Sequence, residues 1–218
     1  QEISRSPIFI FEDIDETVSF LKWIKQNFEK IKVSAESTTR YGKLLRIDPY
    51  PTQNSVILDF VFTTGEAAGQ NMVTIASYEG CKFIKDNYKS INKYQYFIES
   101  NFNGDKNPAA KTLLLGRSHF VVASALIKGN FLKRVLRTNA KEYVEGWTKC
   151  THGSQLAGVV GMNMHVVNAL AAIYLATGQD VACVAENSVA MMTYEVRNES
   201  DLYATLTMPS ISVGTVGG

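Results

Sequence analysis

The sequence predicts an α+β protein in two parts. One is a small ferredoxin-like domain over residues 1–100, and the other a mixed helix-and-sheet domain with a long central helix over 101–218. Two observations carry this. In the first hundred residues the apolar positions switch between a period of two and a period near 3.6, in the order β-α-β-β(-β)-α-β, which reads as that sandwich. In the second half the most apolar run of the chain, 159–177, is long enough for several helical turns. With 218 residues and 45% hydrophobic content, the chain has the apolar surface for one large or two small cores.

The elements follow in order. PIFIFE, from Pro7, alternates as a strand that turns Phe9 and Phe11 inward. DETVSFLKWIKQNFEKI places Val18, Leu21, Ile24 and Phe28 at helical spacing. IKVSAES and KLLRIDPY read as short strands, SVILDFVFTT as a longer one, 66–87 as a helix and YQYFIES as the closing strand. NFNGDKNPAA then sets Asp105 and Lys106 between two apolar segments, with Asn107 as a helix N-cap and Pro108 at the first helical position. HFVVASALIK is a strand, and GNFLKRVLRTNAKEYVEGWTK two short helices. GSQLAGVVGMNMHVVNALAAIYLATG is one long apolar helix with Gly178 as its C-cap. SVAMMTYEVR and LYATLTMPSISV are sheet-like.

Charge and cysteine content exclude several classes. The 22 basic and 21 acidic residues leave a net charge of +1, with no excess to neutralise a nucleic-acid backbone. An RNA-reading sandwich would also need exposed sheet aromatics, whereas Phe9 and Phe11 alternate like core residues. Cys81, Cys150 and Cys183 are an odd number without a CxxC pair, which predicts three buried free thiols in a reducing, cytoplasmic compartment. No metal-ligating pattern stands out. The run 159–177 is interrupted by Asn163, His165 and Asn168, so it reads as a core helix rather than a membrane span, and no signal peptide opens the chain.

Several segments offer chemistry, each with a plainer alternative. Lys106, upstream of a helix start, would stabilise an oxyanion, or else be a solvated charge on a capped turn. In TTGEAAGQNMV, Gly65 and Gly69 permit close backbone approach to a pyrophosphate, although the segment is neither GxGxxG nor a P-loop and suits a tight turn equally. Thr39 and Arg40 pair a hydroxyl with a guanidinium, which suits a phosphomonoester, or are simply solvated, as Lys149 would be. His165 and Asn168 share a helix face, where a histidine is commonly a satisfied core residue. Asp180 lies beyond a helix C-terminus, whose dipole would raise its pKa. GTVGG offers consecutive backbone N–H groups.

Taken in order, RSP, ESTTRYGKL, TTGEAAGQNMV, NFNGDKNPAA, HGSQLAGVVGMNMHVVNALAAIYLATGQD and DLYATLTMPSISVGTVGG resemble the catalytic domain of the 3-hydroxy-3-methylglutaryl-coenzyme A (HMG-CoA) reductase family, in its class I form, over nearly all 218 residues. The resemblance implies an NADPH-dependent oxidoreductase of the mevalonate pathway of isoprenoid biosynthesis. It reduces HMG-CoA to mevalonate with two hydrides and releases coenzyme A. On matching positions it implies Lys106 as the oxyanion-stabilising lysine and Asp180 as its carboxylate partner. It places Arg5, Asp105, Asn107, Lys149, His165 and Asn168 around the substrate. Thr39 and Arg40 fall at the 2′-phosphate of NADPH. Glu66, Ala67, Ala68, Gly69, Gln70 and Asn71, with Gly214, Thr215, Val216 and Gly217, fall along the dinucleotide. Residues 1–100 become the cofactor-binding domain, 101–218 part of the catalytic domain, and a homodimer or higher homo-oligomer is implied. Glu66 stands where the family usually has Asp, Asn107 where it has Lys, and Glu99 where many members have Ser. The family's catalytic glutamate and histidine would fall before Gln1 and after Gly218, so the resemblance implies a core that is inactive alone. The alternative is a non-catalytic homologue that binds the coenzyme A thioester or NADPH.

Overall fold

Residues 2–90 and 92–216 are described by the structure, a computed structural model. The chain divides into two units, Gln1–Asp105 with Val213–Gly218, and Lys106–Ser212.

In the first unit, β1 (Glu2–Arg5) and β2 (Ile8–Ile10) are two halves of one strand. Both lie antiparallel on β4 (Ser55–Thr63), Glu2 facing Thr63 and Ile10 facing Ser55. The gap falls at Ser6 and Pro7, where proline has no N–H to offer the ladder. The other edge of β4 is covered by β3 (Lys43–Thr52), and β5 (Gln95–Phe97) pairs with β2. The strand order is therefore β5, β1/β2, β4, β3, antiparallel throughout, as a ferredoxin-like sandwich requires. Pro49 and Pro51 are tolerated in β3 because it is an edge strand. Helices α1 (Ile14–Glu36) and α2 (Gln70–Asn87) pack on each other and on the sheet. Phe9, Phe11 and Phe20 meet there at ring distances of 4.8–4.9 Å, above Val56, Leu58, Phe60 and Phe62 of β4.

Three expectations fail in this unit. IKVSAES is not a strand, because α1 continues through it to Glu36. Ile31 and Ala35 are one turn apart and both buried, whereas Val33, which made the stretch look alternating, is 71% exposed. The buried face of α1 also starts on Thr17 and Phe20, and Val18 points outward. Helix α2 begins at Gln70, four residues later than the sequence suggested, since Gly65 and Gly69 both take positive φ.

The second unit holds a three-stranded antiparallel sheet. Its strands are β6 (His119–Ile127), β7 (Met191–Arg197) and β8 (Asp201–Ile211), with β8 central. Around it run α3 (Ala110–Leu115), α4 (Gly129–Phe131) with a π-helical turn Leu132–Leu136, and α5 (Ala140–Leu156), which Asn139 caps through Glu142 N–H at 3.0 Å. Then come α6 (Val166–Thr177), a 3₁₀ turn Val181–Cys183 and α7 (Val184–Asn187). Leu132, Ala140, Tyr194, Leu202 and Ala204 form a core with Tyr143 and Trp147 against it.

Here the long helix of the sequence reading is broken. Its first residues belong to α5, and only 166–177 is α6. Gly158, Gly161 and Met164 between them take positive φ, and Met162 instead pairs with Met191 as an isolated bridge. Gly178 caps α6 in the left-handed conformation, as expected. Helix α3 starts at Ala110 with Ala109 at its N-cap, so neither Asn107 nor Pro108 takes the expected place. Proline disfavours helical φ,ψ at Asn107, and Ala109 is still extended. Among the described residues no helix is long and apolar enough to cross a membrane. Cys81, Cys150 and Cys183 are free, but only Cys81 and Cys183 are buried as expected, since Cys150 lies on an exposed position of α5.

Candidate active site

Lys106 sits in a left-handed turn (φ 58°) between β5 and α3. Its ammonium lies 2.8 Å from Asp180 Oδ2, both side chains about two-fifths exposed. Asp180 is held from its other side, since Oδ1 accepts the Ala182 N–H at 3.1 Å and so caps the 3₁₀ turn. The Lys106 ammonium draws the Asp180 carboxyl below the ordinary aspartate value, against the upward pull of partial burial. The sequence had suggested a rise from the α6 dipole. A full charge in direct contact outweighs the partial charge of a helix end.

The backbone N–H of Lys106 donates to Glu186 Oε2 at 2.8 Å. Glu186 is fully buried in α7, and its Oε1 accepts from Arg117 Nη1 at 2.7 Å and Ser212 Oγ at 2.6 Å. Beside it, Asn187 Oδ1 accepts the Tyr174 hydroxyl at 2.5 Å and the Ser212 N–H at 3.1 Å. Burial pushes the Tyr174 phenol up. Sequence reasoning missed Glu186, Arg117, Asn187 and Ser212. Glu186 and Arg117 left one signal, a charge inside an apolar run, in VACVAENSVA and LLLGRSHF, which hints at burial but names no partner; Asn187 and Ser212 left none.

His165 precedes α6, and its Nδ1 lies 3.3 Å from Asn168 Nδ2; both residues are exposed, so His165 is not the satisfied core histidine that the plainer reading expected. Lys149 is exposed on α5, with no ion pair among the described residues. Asn107 lies in the turn before α3. Within the first unit, Arg5 donates to Glu99 and, at 3.2 Å, to Asp105, so its guanidinium faces two carboxylates.

The first unit also gathers the candidate cofactor segments. Thr215 N–H donates to Glu66 O at 2.9 Å, its hydroxyl lies 3.2 Å from Glu66 Oε2, and Ala67 bridges Val216 in parallel. A Cβ on Gly214 would lie 2.6 Å from Ala68 N, so only glycine lets these backbones approach. By contrast, a Cβ on Gly65 would meet nothing within 4 Å, which leaves that turn's backbone open to a ligand. Gly69 is the N-cap of α2, and Gln70 and Asn71 begin it. Thr39 Oγ1 lies 3.2 Å from Met72 Sδ in the same first turn of α2, which puts the Thr39–Arg40 turn at this end of the helix. Gly217 lies outside the described residues.

The hydroxymethylglutaryl-coenzyme A reductase family model matches residues 1–218. The chain is 41% identical to the 3-hydroxy-3-methylglutaryl-coenzyme A reductase of Aeropyrum pernix, over 99% of this chain and 51% of that protein. It is 35% identical to the enzyme of the same name from Methanocaldococcus jannaschii, over 100% of this chain and 54% of that one. The chain thus spans about half the length of the curated relatives it matches. Its fold is like that of the class II 3-hydroxy-3-methylglutaryl-CoA reductase of Streptococcus pneumoniae bound to NADPH in open conformations. The TM-score is 0.66 at 17% identity, covering 100% of this chain and 61% of that one.

Proposed function

The chain belongs to the hydroxymethylglutaryl-coenzyme A reductase family, and from that premise we propose that it serves the NADPH-dependent reduction of HMG-CoA to mevalonate. The overall balance is one thioester, two NADPH and two protons giving mevalonate, free coenzyme A and two NADP⁺. The Lys106–Asp180 pair at 2.8 Å is the observation that carries the reading. Addition of hydride to a carbonyl leaves negative charge on oxygen, and a preorganised ammonium stabilises that charge where it develops. Asp180, in direct contact, fixes the ammonium's direction.

NADPH, when bound, supplies the hydrides. Arg40 and Thr39 take its 2′-phosphate, while the 66–71 loop and the 214–216 segment stitched to it hold the dinucleotide. The open backbone at Gly65 and the glycine-only approach at Gly214 support that assignment. Arg5, Asp105, Asn107, Lys149, His165 and Asn168 are proposed to contact the substrate, in a cytoplasmic homo-oligomer.

The test is Lys106→Met in the complete protein. NADPH binding should persist, while hydride transfer falls by on the order of 10²–10³, the usual loss when one oxyanion stabiliser is removed. Lys106→Arg should restore little, since a planar fork does not replace a point charge. Turnover undiminished in Lys106→Met would overturn the assignment. A wild-type protein that binds both ligands yet transfers no hydride would instead favour a binding homologue.

A further inference from the structure

We propose that Glu186 is the positioning residue for Lys106, its buried carboxylate holding the lysine's backbone in the left-handed turn from which the ammonium reaches Asp180. The inference rests on the reading of Lys106 as the oxyanion-stabilising group, and it assigns the part of the fold that aims it.

The argument starts from the backbone. A residue with a Cβ resists positive φ, and such a conformation persists only where the surroundings enforce it. Lys106 has φ 58°, and the N–H that this conformation turns inward is the one donated to Glu186. The same φ that directs the amide also sets the direction in which Cβ leaves the chain. Clamping the amide therefore aims the side chain.

Glu186 is built to act as such a clamp. It is wholly buried, where a carboxylate is tolerated only if its charge is compensated and its lone pairs are filled. Arg117, only 4% exposed, supplies the charge, and Ser212 a second donor, both on Oε1. Oε2 accepts the Lys106 amide. The lysine's ammonium meets a different carboxylate, Asp180. The two acids thus divide the lysine between them, one holding its backbone and the other its charge. Both come from a single stretch of eight residues, the 3₁₀ turn with its cap and α7, so any shift of that stretch moves both grips together.

A merely structural Glu186–Arg117 pair would stabilise the unit without affecting where the lysine points. The two roles separate in the titration of Asp180, whose carboxyl is lowered first by the Lys106 ammonium. The experiment follows the Asp180 carboxyl by NMR in wild type, Glu186→Gln, Lys106→Met and the double variant. Glutamine keeps one acceptor but turns the other into a donor, so it cannot serve Arg117, Ser212 and the Lys106 amide together. The Asp180 pKa in Glu186→Gln should rise towards the ordinary aspartate value, as in Lys106→Met, and the double variant should add nothing more. Hydride transfer in Glu186→Gln should fall tenfold or more, with NADPH affinity within about twofold of wild type.

If Glu186→Gln fails to fold, Glu186→Asp keeps the buried charge opposite the Arg117 guanidinium while withdrawing the carboxylate from the Lys106 amide, and it should raise the Asp180 pKa likewise. A folded variant at 186 whose Asp180 titrates as in wild type overturns the proposal. Failure of the functional reading looks different: Lys106→Met would then raise the Asp180 pKa while leaving turnover intact.

Discussion

Arg40 carries its guanidinium on a turn that its neighbour keeps rigid. Thr39 Oγ1 accepts the N–H groups of Tyr41 at 3.2 Å and Gly42 at 3.0 Å. Arg40 is left exposed, with no ion pair among the described residues. A charge-assisted bond to the 2′-phosphate of NADPH is worth about 1.5–3 kcal/mol, or roughly ten- to a hundred-fold in affinity. Arg40→Ala should therefore weaken NADPH by that factor and leave NADH binding nearly unchanged in parallel fluorescence titrations. Equal weakening of both would assign Arg40 to the turn itself. At this scale the family resemblance paired Lys106 with Asp180, which lie 2.8 Å apart, and the turn pattern marked the glycines at 65 and 69, which take positive φ. The sequence was not readable where the role comes from burial. Nothing local marks Glu186, Arg117 or Ser212 as partners, because they meet only when α3, α7 and the end of β8 converge.

The α5–α6 connection shows the same limit at the level of elements. Apolar content over 153–178 argued for one helix, yet the chain breaks because Gly161 (φ +81°) must approach another backbone. A Cβ there would lie 2.7 Å from Ala190 O and 3.1 Å from Ala190 N. Gly161→Ala should therefore destabilise by more than about 1 kcal/mol, since the native conformation is incompatible with a side chain. For a chain of this length that lowers the thermal midpoint by about 2–4 °C per kcal/mol. Gly153→Ala is the control. It lies inside α5 with nothing within 4 Å of its Cβ, so alanine should stabilise by about 0.4–1 kcal/mol. Similar losses at both positions would mean that the break is not held by the Gly161–Ala190 contact. The contrast also explains the misread end of α1. Periodicity reports which residues are apolar, but only the packed partner decides whether Ile31, Val33 and Ala35 alternate or ride a helix.

Across the whole molecule the strand order of the first unit was foreseen, because period changes and turn positions are local signals that survive packing. The response of the fold to acid arises differently, from ion pairs spread over both units. In the second, Asp201 is lowered to about 2 by Lys128, then by the Gly129 N–H and Asn198, and Asp180 is lowered by Lys106. In the first, burial alone would raise Glu36, but Lys32, the Leu44 N–H and Lys43 together carry it below its ordinary value. Each carboxyl is thus more acidic folded than unfolded. Its stabilising contribution is complete above the unfolded value, near 4, and is lost as pH falls through the folded one. Thermal midpoints should therefore hold steady above about pH 5 and fall steeply between about pH 4 and 2. Asp201→Asn removes one titrating group along with the Oδ2 acceptor of Lys128 and Asn198, while the remaining oxygen can still accept the Gly129 N–H. It should lower the midpoint at pH 7 and flatten the fall below pH 4, so that the variant and wild-type curves converge near pH 2. Curves that stay parallel down to that pH would mean that Asp201 contributes nothing to the acid response, and that the fall arises elsewhere in the chain.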